Sequence, residues 1–255
     1  MNRTVRSLCV VCALVWLTSA CFSNQSKSEV QPGVASEINL RLGTDYMVKG
    51  NLEAAKEKID RALEQNPRNA NAHAMAGLLY DRLGDSSKAD NYFQRALSLD
   101  GKNPEIMNNY AAFLCKSGRY DRGEKYALQA GGNPLYKTPE RAYMNAGICQ
   151  RQAGNLSRAE EHYRRALGIR PKLGGALFEM AELELQQANY MPARAFLERY
   201  LEVSKTSPAT LWLGVRIERG LGNTTGANSY AARLKNEYPT AVETRELLES
   251  ERSMK

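Results

Sequence analysis

The chain has 255 residues, with 35 lysines and arginines against 28 aspartates and glutamates, and a formal net charge of +7. The basic residues are spread along the chain and mixed with acidic ones, which is typical of solvated helix faces and does not indicate a nucleic-acid-binding patch. The two histidines are far apart in sequence, which excludes a local zinc-binding cluster, and the scarcity of β-branched runs favours helix.

The first twenty residues have the pattern of a secretory signal. Arg3 and Arg6 precede ten apolar residues at 8–17, a stretch too short to span a bilayer as a mature helix. The run Leu17-Thr18-Ser19-Ala20-Cys21 resembles a bacterial lipobox, in which the cysteine thiol receives diacylglycerol and the signal is cut before it. The resemblance implies lipidation of Cys21. The alternative is an ordinary secretory signal that happens to contain a cysteine.

Residues 21–35 are polar and contain Pro32 and Gly33, so we predict a flexible tether between lipid and fold. Phe22 follows the cysteine, where lipoproteins retained at the inner membrane usually carry aspartate. The resemblance to lipoproteins therefore implies the outer membrane.

From Ser36 onward the chain repeats with a period near 34 residues. One glycine position recurs at spacings of 34, 34, 36, 34 and 34 residues, at Gly50, Gly84, Gly118, Gly154 and, after Ala188 in the fifth copy, Gly222. A second small residue recurs at Ala55, Ala89, Gly123, Ala159, Ala193 and Ala227. These intervals resemble the tetratricopeptide repeat, a helix–turn–helix unit in which small residues allow the two helices to pack closely. The resemblance predicts an all-α fold, a right-handed α-solenoid of six repeats with a C-terminal capping helix.

The period places the repeats at 36–69, 70–103, 104–139, 140–173, 174–207 and 208–240, with a capping helix and tail at 241–255. Two extra residues in repeat three, around Gly131 to Pro134, predict a second helix that ends early and a longer loop. Repeats five and six carry Ala181 and Val215 in place of the first-helix glycine. We therefore expect looser or shifted helix packing in those two repeats.

In tetratricopeptide folds the first helices line an inner groove through positions 2, 5, 9, 12 and 13 of each repeat. Exposed apolar patches often mark partner sites, and methionine adapts to irregular peptides. We therefore predict a partner-binding groove near the N-terminal end, formed by Leu40, Thr44, Met47, Val48, Ala74 and Leu78. The alternative, that Leu40 or Met47 simply packs beneath the tether, stays open.

The sequence contains no recognisable catalytic motif and no phosphate-binding glycine-rich loop. Glu160-Glu161-His162 has the residue types for acid–base chemistry but lacks a positioned partner, so we predict a solvated helix face there. We expect no enzymatic activity, metal, cofactor or small-molecule substrate.

Two cysteines remain once Cys21 is lipidated and the signal removed. Cys115 and Cys149 lie on the first helices of repeats three and four, at positions 12 and 10. The axes of neighbouring helices lie roughly 8–10 Å apart, and a disulfide needs Cα atoms about 4.4–6.8 Å apart, which inward-facing positions on the two helices could satisfy. We therefore predict a bridge between Cys115 and Cys149, which would stabilise the fold by roughly 3–4 kcal/mol. The alternative is two small buried cysteines, each filling a slot where alanine would serve.

The lipobox and the six repeats together resemble the type IV pilus biogenesis lipoproteins of the PilF/PilW family. The stretches Asn108–Cys115 and Ala146–Cys149 look like that family's third and fourth repeats. The resemblance implies a pilotin, a monomeric outer-membrane lipoprotein facing the periplasm that binds secretin subunits and promotes their localisation and multimerisation. The alternatives are an adaptor for another envelope or peptidoglycan machine and an accessory domain of an envelope enzyme.

Overall fold

The computed structural model describes residues 32–253, and within that range it contains thirteen α-helices and no strand. The predicted all-α solenoid of tetratricopeptide repeats is confirmed. Six helix–turn–helix pairs are followed by a single helix. The pairs are α1 Pro32–Val48 and α2 Leu52–Gln65, α3 Ala70–Arg82 and α4 Ser86–Leu99, α5 Pro104–Lys116 and α6 Tyr120–Gly131, α7 Pro139–Gln152 and α8 Leu156–Ile169, α9 Gly174–Gln186 and α10 Tyr190–Leu201, and α11 Pro208–Gly220 and α12 Thr224–Glu237, and the last helix is α13 Val242–Ser253.

Side chains at the amino ends determine where many of these helices begin. Asn51, Asn69 and Asp85 each accept a hydrogen bond from the backbone N–H three residues later, at 3.1, 3.0 and 3.0 Å. Such caps satisfy N–H groups that have no partner within the helix. Pro104 and Pro139 stand in the first turns of α5 and α7, where a missing N–H costs nothing.

The recurring glycines lie where the chain reverses between the two helices of a pair. All five have positive φ, between 71° and 83°. Ala188 occupies the same place in repeat five with φ of 59°, a conformation that costs an L-residue roughly 1–2 kcal/mol. The shared geometry explains why this position keeps its register through all six repeats.

Close packing within a pair depends on a small residue on the first helix. A Cβ atom added to Gly77 would lie 2.9 Å from the Phe93 ring, so no side chain fits between them. In repeat six the close approach is made one residue earlier than the period predicts. There Gly214 lies against Tyr230, with an added Cβ 2.7 Å from the ring, which explains why Val215 stands in the expected place.

The helices form a layered array. Each helix contacts the next one along the chain, and each first helix also contacts the first helix of the following repeat. Second helices of neighbouring repeats lie farther apart, with no pair of Cα atoms within 8 Å anywhere in residues 32–253, and only long side chains bridge them. The first helices therefore form the tighter, inner layer of the solenoid, and α13 packs against α11 and α12 at its C-terminal end.

Because α1 begins at Pro32, residues 32–35 are helical rather than part of the tether to which we assigned them. In repeat three, α6 ends at Gly131 and a loop of seven residues leads to α7, at the predicted insertion.

Cys21 and its proposed lipid lie outside the described residues. No helix within the described range is long and apolar enough to cross a membrane.

Candidate partner-binding surface

The predicted N-terminal groove is largely buried in the structure. Leu40, Met47 and Ala74 are only 8%, 3% and 4% exposed, so the prediction that they form a surface patch is wrong. Thr44 is half-buried and its hydroxyl donates to the Leu40 carbonyl oxygen at 2.9 Å. Val48 alone of the six is well exposed, at 80%.

The contacts of these side chains explain the error. Leu40 packs against Ala62 and Ala72, which belong to α2 and α3. Met47 packs in a cluster with Ile59 and Leu79, and the half-buried Leu78 lies against the same cluster. Because α1 and α3 are in close contact, the side chains at positions 5 and 12 of the first repeat lie in the core. The packing of these two side chains is within and between repeats one and two. Aspartate at Leu40 or Met47 would bury a charge and therefore report on stability rather than on binding.

Position 5 behaves differently in the second half of the solenoid. There it carries Met144, Phe178 and Trp212, all half-buried. The Arg219 guanidinium lies 5.8 Å from the centre of the Trp212 ring. At position 5 the apolar side chains are therefore partly exposed in repeats four to six, whereas they are buried in repeats one and two.

Polar side chains bridge neighbouring first helices along the inner layer. Lys116 and Asp81 are 2.9 Å apart across α3 and α5, and Arg151 and Glu179 are 2.9 Å apart across α7 and α9. Between these two ion pairs, the Asn145 amide donates to the Asn108 side-chain oxygen at 2.9 Å. These bridges link successive first helices of the solenoid.

An exposed apolar row on α1 was missed by the sequence analysis. Val34, Ile38 and Leu42 are 52%, 43% and 40% exposed and are spaced by four residues, so they lie along one face of the helix. The four-residue apolar spacing is visible in the sequence. The repeat pattern does not predict it as a surface, because Val34 falls in the predicted tether and the predicted groove positions Leu40, Thr44 and Met47 lie on the opposite face of α1.

Cys115 and Cys149 form a disulfide in the structure, with their Cα atoms 5.0 Å apart. Both residues are buried, at 3% and 0% exposure. The bond joins the first helices of repeats three and four across the inserted loop. It therefore ties together the two repeats between which the regular spacing is interrupted.

His162 is buried, at 7% exposure, contrary to the expectation of a solvated Glu160-Glu161-His162 run. Its Nε2 lies 2.7 Å from one oxygen of Glu124, whose other oxygen accepts from Arg158 at 2.6 Å. Glu124 is itself 5% exposed and belongs to α6, whereas the other two residues belong to α8. This cluster joins repeats three and four.

A second, half-buried polar cluster joins repeats two and three. Tyr110 donates to Asp90 at 2.7 Å and Arg119 donates to the same carboxylate at 2.9 Å. Burial opposes ionisation of Asp90, but these hydrogen bonds outweigh it and lower the pKa of the carboxyl. Burial and the bond to Asp90 raise the pKa of Tyr110 to about 12.

Comparison with known proteins places these features in a family. A family model described as a tetratricopeptide repeat matches residues 40–104 and 115–173, and two further models so described match 150–210 and 92–125. The type IV pilus assembly protein PilF of Pseudomonas aeruginosa is 29% identical over 246 residues, which cover 95% of this chain and 98% of PilF.

Two solved structures are similar over nearly their whole length. The structure of Pseudomonas aeruginosa PilF matches with a TM-score of 0.74 at 28% identity, covering 86% of this chain and 99% of that one. The structure of PilW, described as a widely conserved type IV pilus biogenesis factor, matches with a TM-score of 0.78 at 31% identity, covering 84% of this chain and 98% of PilW.

Proposed function

Because the chain belongs to the PilF/PilW family of tetratricopeptide repeat proteins, we propose that it is a pilotin of a type IV pilus system. In this proposal it is an outer-membrane lipoprotein, anchored through Cys21 and facing the periplasm. It binds secretin subunits and promotes their localisation and multimerisation. Its partners are therefore protein and lipid, with no nucleic acid and no small-molecule substrate.

The observation that carries the proposal is the extent of the similarity. Matches confined to a few repeats are common among tetratricopeptide proteins, whereas here the similarity covers 98% of PilF and 98% of PilW. The alignment with PilF includes 95% of this chain and so extends into the residues before Pro32. The similarity thus covers nearly the whole length of a protein named for type IV pilus assembly.

The mechanism is one of binding and delivery. The charged groups of the two polar clusters are paired with one another, as Arg158 is with Glu124 and Arg119 is with Asp90, which suits a scaffold better than an acid–base catalyst. The two acyl chains of a diacylglyceryl group on Cys21 would make the lipid anchor stable, because a single chain gives only marginal binding. Confining a bound secretin subunit to one membrane raises the local concentration of subunits and favours ring assembly.

Deleting the gene and blotting the outer-membrane fraction for secretin tests the function. We expect monomeric secretin to accumulate and the heat-resistant multimer to disappear, with recovery when the wild-type chain is supplied. An unchanged amount of multimer would contradict the proposal.

A second arm tests the anchor. Cys21→Ala should leave an uncleaved or mislocalised precursor and fail to restore the outer-membrane multimer, whereas Cys12→Ala, a cysteine in the apolar part of the signal, should restore it. Normal fractionation and lipid labelling of Cys21→Ala would contradict lipidation at this residue.

A further inference from the structure

The ends of the helix pairs form two different edges of the solenoid. One edge holds the turns between the two helices of each pair. The other, which we call the loop edge, holds the loops that follow the second helices, at 66–69, 100–103, 132–138, 170–173, 202–207 and 238–241. First helices of successive repeats contact one another, so successive loops lie side by side along this edge. The Asn133 amide joins two of them directly by donating to the Lys102 carbonyl oxygen at 3.3 Å.

The chain enters the solenoid at the loop edge. Every first helix begins at this edge, and α1 begins at Pro32, four residues before the first position of its repeat. Because a helix rises 1.5 Å per residue, the amino end of α1 projects roughly 6 Å further than the others. Residues 22–31 separate Pro32 from Cys21, and ten residues span at most about 35 Å. A lipid on Cys21 would therefore hold the loop edge next to the membrane.

The loops of this edge are more basic than the turns of the opposite edge. They carry six basic and two acidic residues, whereas the turns carry two basic residues and one acidic one. Of the six, Arg170 pairs with Glu140 at 3.5 Å. The other five are exposed and form no ion pair with any residue of 32–253, namely Arg68, Lys102, Lys137, Lys172 and Lys205. Each of the first five loops therefore presents one unpaired cation to the solvent.

The longest of these loops also carries an apolar side chain in solvent. Leu135 lies in the loop of 132–138, which contains the insertion of repeat three, and it is 85% exposed. Lys102 and Lys137 line a shallow cleft with Leu135, as do the carboxylates of Asp100 and Glu105, which make the cleft unsuited to a free anion. A leucine beside lysines suits the interface of a bilayer, where the apolar side chain enters the acyl boundary and the ammonium groups meet headgroup phosphates.

We propose that the loop edge lies against the membrane leaflet that holds the anchor, with Leu135 in the interface and the five cations on anionic headgroups. This inference rests on the proposed function, in which Cys21 carries a lipid. Each lysine or arginine close to an anionic surface strengthens binding about fivefold, so five of them suffice to orient a body that is already tethered. The helices then stand end-on to the membrane, which leaves both layers of the solenoid free to contact protein.

Fluorescence quenching by lipid tests the orientation in the mature, lipidated chain. The environment-sensitive dye NBD is attached to Leu135→Cys or, as the control, to Met191→Cys, an apolar position 61% exposed at the start of α10 on the opposite edge. Cys115 and Cys149 are joined in a disulfide, so the introduced thiol is the one that reacts. In vesicles of phosphatidylethanolamine and phosphatidylglycerol, brominated acyl chains should quench the dye at position 135 and leave the dye at 191 unquenched.

Two further arms test the role of charge. Exchanging phosphatidylglycerol for phosphatidylcholine should reduce the quenching at position 135 severalfold, because the cations then lose their anionic partners. Lys102→Glu with Lys137→Glu should do the same, whereas Lys49→Glu, in an exposed turn of the opposite edge, should leave the quenching unchanged. Quenching that responds neither to headgroup charge nor to these substitutions would contradict the electrostatic contact.

The outcomes separate the orientation from the function. Equal quenching at 135 and 191, or quenching at neither position, would show that the loop edge does not face the leaflet. If the secretin multimer still depends on the chain in that case, the orientation is wrong and the pilotin function stands. If mass spectrometry of the membrane-extracted chain finds no lipid on Cys21, the anchor fails and the orientation fails with it.

Discussion

Gly123 shows at the scale of a single residue how a covalent link changes the packing requirement. The same position is alanine in the other five repeats, at Ala55, Ala89, Ala159, Ala193 and Ala227, and all five are buried. A Cβ atom added to Gly123 would lie 2.6 Å from the Cys115 sulfur and 2.9 Å from the Cys149 sulfur. The disulfide occupies the volume that an alanine methyl fills elsewhere. The sequence alone shows Gly123 as one of six small residues at the same position of the repeat and does not show why this one is glycine.

Gly123→Ala should therefore destabilise the oxidised protein by about 1–3 kcal/mol, the usual cost of overpacking a core. In a Cys115→Ala/Cys149→Ala background both sulfur atoms are gone, and the same substitution should cost at least about 1 kcal/mol less. Urea unfolding of the four proteins of this cycle measures the difference. An equal cost in both backgrounds would show that the bridge does not determine the residue at 123.

At the scale of helices, the glycine period predicted the turns because a positive φ strongly restricts the residue, and that restriction is visible in a single sequence. The start of α1 was not predicted, because Pro32 and Gly33 suggest a linker when the following helix is not known. Proline in the first turn of a helix is equally favourable, and only the packing of Ser36 and Leu40 against the second helix shows which case applies.

Asp90 links three helices through Tyr110 of α5 and Arg119 beside α6, and it gives the stability a pH dependence. Its pKa is lowered in the folded protein, so its contribution is present above the ordinary aspartate pKa of about 4 and is lost as the pH falls through the lower, folded value. Asp90→Asn should cost about 1.5–3 kcal/mol at neutral pH, the range for hydrogen bonds to a charged group.

The difference in unfolding free energy between wild type and Asp90→Asn should shrink steadily below about pH 4. There the Asp90 carboxyl of the wild type becomes protonated, first in the unfolded and then in the folded protein. Urea unfolding across a pH series measures it. Glu161→Gln, at an exposed position of α8, is the control and should change stability little at any pH. A cost for Asp90→Asn that stays constant down to pH 2 would contradict this account.

At the scale of the whole molecule, the sequence predicted the array but not which surfaces it leaves open. The periodicity identifies which residues are equivalent, whereas exposure depends on what covers each face. Leu40 and Met47 are buried because α1 and α3 touch, and Ile38 and Leu42 are exposed because no second helix precedes α1 within the described residues. The two ends of the array therefore differ, since α13 covers the C-terminal end.

One side of α13 covers the C-terminal end of the solenoid. Leu247 is fully buried and packs with Leu211, Val215 and Leu234, whereas the adjacent Leu248 is 41% exposed. In a solenoid each repeat is stabilised mainly by its neighbours, so loss of the cap should weaken the last repeat first. Leu247→Ala should destabilise the last repeat by about 2–5 kcal/mol, the range for deleting a buried leucine.

Hydrogen exchange locates that effect along the chain. In Leu247→Ala, amides of α11, α12 and α13 should exchange much faster, while those of α3 to α6 keep their wild-type protection because no contact joins them to the cap. Leu248→Ala is the matched control, with a cost within about 0.5 kcal/mol. Uniformly faster exchange through all six repeats would mean that the solenoid opens as one unit, and the cap would then govern the whole array, including the distant α1 face.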